Sequence, residues 1–209
     1  MFILIEKLKK QLSEKLPGKE VQYSMAPVAR NILPAGNLNQ KAGVLFLLYP
    51  YKGEFFIVFI KRTEYNGAHS GQVSLPGGKF ETKDKTLKNT ALRESHEEIG
   101  IHPDEIIIIG QLTPLEIPIS NFEVFPYVGF TRKKPDFKPD PSEVEYLIHV
   151  SLSKLTNPSI RKSKIMTVRE FTGAIPYFDI SEDFIWGATA MMLAEFIEVL
   201  RLSGYPPQK

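Results

Sequence analysis

Hydrophobic residues recur at two different spacings along the chain, and the two spacings predict different elements. Between Ile5 and Leu16 the apolar residues follow one another at intervals of three and four, with lysines and glutamates between them. This spacing predicts a short amphipathic helix that ends at Pro17-Gly18. Residues 186–202 are rich in apolar residues and predict a long helix that packs in the core. Residues 19–40 show neither period and are predicted to be irregular.

Runs of β-branched and aromatic residues predict strands through the middle of the chain. The runs at 44–49 and 54–61, separated by a turn, predict a hairpin of two largely buried strands. A helix is predicted over 86–99 because Gly100 and Pro103 follow it. Strands and helices mix without strict alternation, which favours an α+β fold with a mixed sheet, in a single domain over residues 1–209. The other predicted strands are 72–75, 106–112, 122–131, 143–150, 164–168 and 172–180.

Composition and charge exclude several classes of function. Lys plus Arg number 26 and Asp plus Glu number 24, and this near-balance argues against a general nucleic-acid binder. The chain has no cysteine, which excludes disulfide frameworks, thiolate zinc sites and cysteine nucleophiles. No apolar run is long enough to cross a bilayer, and the N-terminus lacks the charge order of a signal peptide. We therefore expect no membrane partner and a cytoplasmic location.

The segment from Pro76 to Ile101 carries the chemistry. On a helix of about 100° per residue, Glu94, Glu97 and Glu98 fall on one face. Three like charges on one face repel one another unless they are solvated or a cation lies among them. Clustered carboxylate oxygens are preferred ligands of Mg²⁺ and Mn²⁺, although the same trio also fits a solvated helix face.

Two features next to the glutamates favour a site over a solvated face. Gly77-Gly78 allows the backbone to approach a ligand closely, and Arg93 at the edge of the acidic face can orient a carboxylate. A zinc-protease motif is excluded, because His96-Glu97 would require a second histidine where Gly100 stands.

These residues resemble the box of the Nudix hydrolase family, which reads G-x5-E-x7-R-E-U-x-E-E-x-G-U, where U is a bulky aliphatic residue. The box departs from this pattern at three places: its first acid is Asp84 rather than Glu, the box is one residue longer, and Ser95 stands where an aliphatic residue is usual. The change from Glu to Asp affects the N-terminus of the helix and its salt bridge, not the metal-binding end of the box. The matching residues are Gly78, Arg93, Glu94, Glu97, Glu98, Gly100 and Ile101.

An additional segment resembles the coenzyme A pyrophosphatase-like Nudix proteins. Their motif looks like R-[ST]-x3-R-x-H-x-G-Q-x-x-[FL]-P-G-G, and this chain reads Arg62-Thr63 and then His69-Ser70-Gly71-Gln72, continuing to Gly78. Gly67 stands where that motif has its second arginine. The resemblance covers roughly residues 40–200, so the N-terminal helical extension, about 1–40, lies outside it.

The resemblance implies a Nudix fold, with a mixed sheet between helices, and Mg²⁺- or Mn²⁺-dependent hydrolysis of a small-molecule diphosphate. It implies that Glu94, Glu97 and Glu98 bind the metal, with the Gly77 carbonyl as a further ligand, and that Arg93 orients a box carboxylate. A homodimer is common in the fold, but nothing in the sequence predicts an interface.

Several other candidate site residues each have more than one possible role. Glu143 is a candidate general base, or an exposed glutamate at the start of a strand. Arg62 and Lys79 are assigned to phosphate oxygens, or are solvated. Gln72 and His69 belong to the segment assigned to the substrate, and for His69 holding the turn is the alternative. A loop lysine such as Lys133 is a candidate to receive a ribose 3′-phosphate.

Three functions fit these residues. The first is hydrolysis of coenzyme A or its derivatives to 3′,5′-ADP and 4′-phosphopantetheine. The second keeps the chemistry but acts on ADP-ribose or another nucleoside diphosphate conjugate, and Gly67 keeps it open. The third is a Nudix-fold binding or regulatory module without turnover, against which the three retained glutamates argue.

Overall fold

A mixed sheet forms the centre of the molecule. The computed structural model describes residues 2–27, 38–64, 71–168 and 171–206, and within these residues eight strands form the sheet. The central order is β3-β2-β1-β7-β5, with β4 beside β1, β6 beside β7 and β8 beside β2. β1 and β7 are parallel, and the other pairs are antiparallel. The strands are β1 (Gln40–Tyr51), β2 (Glu54–Arg62), β3 (Val73–Ser74), β4 (Gly77–Lys79), β5 (Ile107–Gln111), β6 (Leu115–Ile117), β7 (Phe122–Phe130) and β8 (Val144–Ser151).

Helices cover both faces of this sheet, as the sequence predicts. Alternate residues of β1 point to opposite sides, so Leu45 and Leu47 pack against the helix α3, whereas Phe46 and Leu48 pack on the side of α5. The rings of Phe46 and Phe196 stack with their centroids 4.8 Å apart. The helices are α1 (Phe2–Leu12), α2 (Lys19–Tyr23), α3 (Leu87–Ile99), α4 (Leu152–Leu155) and α5 (Gly187–Leu202).

A smaller sheet joins the end of the chain to this core. The strands predicted at 164–168 and 172–180 are confirmed as β9 (Arg161–Val168) and β10 (Phe171–Asp179), which pair as a hairpin, and β11 (Phe184–Trp186) pairs with β10 before α5 begins. Among the described helices none combines the length and apolar character that crossing a bilayer requires.

The largest difference from the predicted elements lies near the N-terminus. α1 ends at Leu12 rather than Leu16, and α2 forms where no element is predicted. α2 is short, and its place depends on a distant contact: the buried Gln22 side chain donates to Glu195 of α5 at 2.8 Å and to the Thr113 carbonyl at 2.8 Å. Periodicity cannot reveal an element that such tertiary hydrogen bonds specify.

Candidate active site

Helix α3 places the acidic residues, and its ends explain its length. The Thr86 hydroxyl accepts a hydrogen bond from the Asn89 amide, and Gly100 takes the left-handed conformation with φ 75° that ends many helices. Ala91, Ser95 and Ile99 face the core. Ser95 occupies its buried position because its hydroxyl donates to the Ala91 carbonyl at 2.7 Å. The glutamates lie on the adjacent side of the helix, with Glu98 next to the core face.

Glu98 is the most buried of the three glutamates, with 1% of its surface exposed. One carboxylate oxygen accepts from the Gly77 amide at 2.7 Å, and the other accepts from Nη1 of Arg62 at 3.0 Å. Burial raises the pKa of Glu98 to about 7, against the opposing effects of the Gly77 hydrogen bond and the Arg62 charge. Glu98 therefore joins α3 to both ends of the segment that precedes the box.

Arg93 lies at the centre of an ionic network. Its Nε and Nη2 donate to the two carboxylate oxygens of Asp84 at 2.7 and 3.0 Å, and its Nη1 lies 2.8 Å from Glu94 and 2.7 Å from Glu97. Nη2 also donates to the Lys79 carbonyl at 3.1 Å. Arg93 thus contacts three carboxylates of the box, those of Asp84, Glu94 and Glu97.

The salt bridge at the start of the helix is intact despite the change from Glu to Asp. Asp84 ends a 3₁₀ turn, and Lys85, with φ 64°, then turns the chain into α3. This turn uses the extra residue of the box. The shorter Asp84 side chain then lies where the Thr90 hydroxyl and the Glu81 amide also donate to it. Hydrogen bonds from Arg93 hold the pKa of Asp84 well below its usual range.

Gly78 gives Glu94 its space. A Cβ on Gly78 would overlap the Glu94 carboxylate, so only glycine allows this carboxylate to lie against β4. Burial raises the pKa of Glu94, Arg93 opposes the shift, and the charges of Glu97 and Glu143 add to it. Glu97 is the least buried of the three glutamates, with 49% of its side chain exposed.

The three glutamates share a helix face but do not surround one point. Among the described residues, no group of three or more His, Asp or Glu side chains is arranged to hold a metal ion. Instead Arg93 binds Glu94 and Glu97, and Arg62 binds Glu98. The chemistry of the donor set nevertheless fits a hard divalent cation, since every candidate ligand is a carboxylate or carbonyl oxygen. The ligand assignment of Glu94, Glu97, Glu98 and Gly77 stays a prediction.

Lys79, Gln72 and Glu143 are joined through their backbone carbonyls to residues around this face. Lys79 is exposed, and Gln72 lies opposite Arg62, whose amide donates to the Gln72 carbonyl at 3.1 Å. Glu143 lies at the end of β2, where its carbonyl accepts from the Thr63 amide at 3.1 Å. His69 and Gly67 lie outside the described residues.

Two structural features of the site are not indicated by the sequence. The pairing of Arg62 with Glu98 joins residues 36 positions apart, and no local pattern indicates it. Gly43 is the second, because a Cβ there would overlap the Leu87 carbonyl, so only glycine lets α3 approach β1. A glycine inside a strand is a signal of such a close approach, but the strand predicted at 44–49 begins one residue after Gly43.

Alanine at Gly77 and alanine at Gly78 are expected to have different effects. Gly78→Ala displaces the Glu94 carboxylate, the end of a flexible side chain, so turnover falls about tenfold or more while the protein stays folded. Gly77→Ala places a Cβ against the backbone of Gly43 and Val44 at a φ of 144°, so it lowers the melting temperature. Turnover and melting curves of both variants test this. Equal melting temperatures for the two would contradict it.

Comparison with known proteins places these residues in a family. A model of the NUDIX domain matches residues 39–172. The chain is 34% identical over 198 residues to "Nudix hydrolase 15, mitochondrial" of Arabidopsis thaliana, a match that covers 88% of this chain and 67% of that protein. It is 34% identical to "Nudix hydrolase 22, chloroplastic" of the same plant over 82% of this chain, but spans only 57% of that relative.

A bacterial relative and a solved structure agree with this match. "Uncharacterized Nudix hydrolase NudL" of Yersinia enterocolitica is 31% identical over 150 residues, which are 70% of this chain and 74% of that protein. The crystal structure of RenU, a Nudix hydrolase from M. Smegmatis, superposes with a TM-score of 0.53 at 14% identity, over 84% of this chain and 92% of that one. At this low identity, the match to RenU shows the fold alone. Because the matched domain contains β1, the glycine turn and the acidic helix α3 with their contacts, the chain belongs to the Nudix hydrolase family.

Proposed function

We propose that this chain is a Mg²⁺- or Mn²⁺-dependent pyrophosphatase that hydrolyses the diphosphate linkage of coenzyme A or its derivatives, in the cytoplasm. The family membership supports hydrolysis of a diphosphate. The choice of coenzyme A rests on the segment between Arg62 and Gly78, whose sequence resembles the motif of coenzyme A pyrophosphatase-like Nudix proteins. The products are 3′,5′-ADP and 4′-phosphopantetheine.

One observation carries the proposal: both ends of that segment bind the same carboxylate. Arg62 at the start and Gly77 at the end each donate to Glu98. The two ends of this segment are therefore bonded to a carboxylate of the acidic face. A diphosphate bound at α3 would lie beside Arg62 and Gly77, and we assign selection of the rest of the substrate to the segment that these two residues begin and end.

The roles of the residues follow from their contacts. A divalent cation held by Glu94, Glu97 and Glu98 would neutralise phosphate charge and lower the pKa of a bound water. Arg93 keeps two of these carboxylates in fixed rotamers. The exposed ammonium of Lys79 is placed to meet a phosphate oxygen. Glu143, beside the site and exposed, accepts the proton of the attacking water.

Substrate preference tests the proposal. Coenzyme A carries a 3′-phosphate that ADP-ribose lacks, and a basic side chain such as Lys133 that meets it would help to position the diphosphate. We expect kcat/KM to fall from coenzyme A to its 3′-dephospho form and again to ADP-ribose. The three compounds are compared at one Mg²⁺ concentration, with products identified by mass.

The outcomes separate the alternatives. A tenfold preference for ADP-ribose, about 1.4 kcal/mol in the opposite direction, would overturn the coenzyme A assignment but leave the hydrolase. Binding of all three compounds without turnover would support a binding module instead. Repeating the assay with Mn²⁺ identifies the preferred metal.

A further inference from the structure

A short segment connects the C-terminal end of α3 to Glu143. We call residues 138–144 the strap. The Lys138 amide donates to the Ile99 carbonyl at 3.0 Å, and the Asp140 amide donates to the Glu98 carbonyl at 3.1 Å. These bonds satisfy carbonyls that the end of a helix leaves free. The first half of the strap is therefore bonded to the backbone of Ile99 and of Glu98, and the Glu98 carboxylate lies in the site.

Asp140 organises the turn of the strap. Its Oδ1 accepts from the Ser142 amide at 2.8 Å and from the Ser142 hydroxyl at 2.7 Å. Its carbonyl accepts from the Glu143 amide at 3.1 Å and from the Val144 amide at 2.8 Å. Prolines at 139 and 141 flank it and restrict the backbone on both sides. The turn is thus closed by the side chain of Asp140 as well as by its backbone.

The far end of the strap is fixed to β2. Val144 lies opposite Arg62 in the pairing of β2 with β8, and Thr63 binds the backbone of Glu143 and Ser142. Arg62 in turn reaches Glu98. Glu143 therefore lies at the edge of the acidic face, on a segment anchored at both ends.

We infer that Asp140 is a positioning residue, which holds Glu143 against the acidic face of α3 by closing the turn of the strap. The inference rests on the proposed function, in which Glu143 accepts a proton. In that reaction the water oxygen bonds to phosphorus, and the bond from phosphorus to the bridging oxygen breaks with its electron pair on that oxygen. The proton of the water passes to Glu143 and then to solvent. Asp140 touches none of these atoms and acts only through the place of Glu143.

A set of single and double variants of the full chain tests the inference. Glu143→Gln is expected to lower kcat about 100-fold, the range of a lost general base. Asp140→Ala is expected to lower kcat about tenfold with KM within twofold. The double variant is expected to be no slower than Glu143→Gln alone, because the turn has no other contribution to turnover. Asp140→Asn keeps an oxygen at Oδ1 and is expected to restore most of the activity.

Asp136→Ala is the matched control, since this exposed acid of the same loop forms only a 3.6 Å pair with Lys138. It should keep wild-type kcat. If Asp140→Ala lowers the melting temperature, Pro141→Gly, which loosens the same turn, replaces it in the double-variant comparison.

The failure of this inference is distinguishable from the failure of the proposed function. Wild-type kcat in Asp140→Ala, or losses that multiply in the double variant, would overturn the positioning role. Wild-type turnover in Glu143→Gln would overturn it too, while the hydrolase proposal would stand on Glu97 and Glu98. If the wild-type protein does not hydrolyse coenzyme A at all, the proposed function is overturned instead.

Discussion

Replacing Glu98 with glutamine is expected to lower turnover by about 100- to 1,000-fold, or ~2.7–4 kcal/mol of transition-state stabilisation. Glu98 is the buried carboxylate that the segment before the box and the helix α3 share. An amide removes the negative charge that a cation needs and offers only one oxygen to two donors, Gly77 and Arg62. Because the buried charge disappears as well, the protein is expected to stay folded. Steady-state turnover with Mg²⁺, beside a melting curve, measures both effects.

Glu97→Gln provides the comparison within the same face. Glu97 is half-exposed and bonded to Arg93, so its replacement is expected to lower turnover similarly without changing stability. Glu105→Gln is the control, since this exposed glutamate lies in the 3₁₀ turn beyond the helix. Turnover near that of the wild type in both Glu97→Gln and Glu98→Gln would refute the metal-site assignment.

Replacing Arg93 with methionine is expected to lower the free energy of unfolding by about 3 kcal/mol at pH 7. The Asp84 side chain is 2% exposed and receives two of its hydrogen bonds from Arg93. Without the guanidinium its charge is buried and uncompensated, apart from the bonds from Thr90 and the Glu81 amide. Urea unfolding measures the loss. Lys83→Met is the control, because its pair with Glu81 is exposed and worth less than about 1 kcal/mol.

The loss is expected to depend on pH in a defined direction. Arg93 lowers the pKa of Asp84 in the folded state, so the pair stabilises the protein above the ordinary pKa of about 3.9. The stabilisation disappears as the pH falls through the lowered folded-state pKa, where Asp84 becomes neutral. The difference in unfolding free energy between the wild type and Arg93→Met should therefore shrink as the pH falls from about 4 toward about 2. A difference that is constant over this range would show that Asp84 does not cause it.

Local interactions account for what could be predicted. The helix over Leu87–Ile99 depends on its Thr86 cap, its glycine stop and a repeated core face, all of which lie within a few residues. The hairpin of β1 and β2 likewise depends on adjacent strands and one turn. The acidic face follows from helix geometry alone, because residues 94, 97 and 98 must lie together on any α-helix.

Contacts between distant segments decided the rest. The sequence by itself determined the elements around the site, the acidic face and the family resemblance. Only the tertiary structure joined Arg62 to Glu98, closed the Asp84 salt bridge on its altered spacing, and brought the strap with Glu143 to the end of β2. It also formed α2, whose Gln22 binds Glu195 across 173 positions. The physical reason is range: periodicity and caps record interactions between near neighbours, whereas these bonds exist only after the sheet has brought remote segments together.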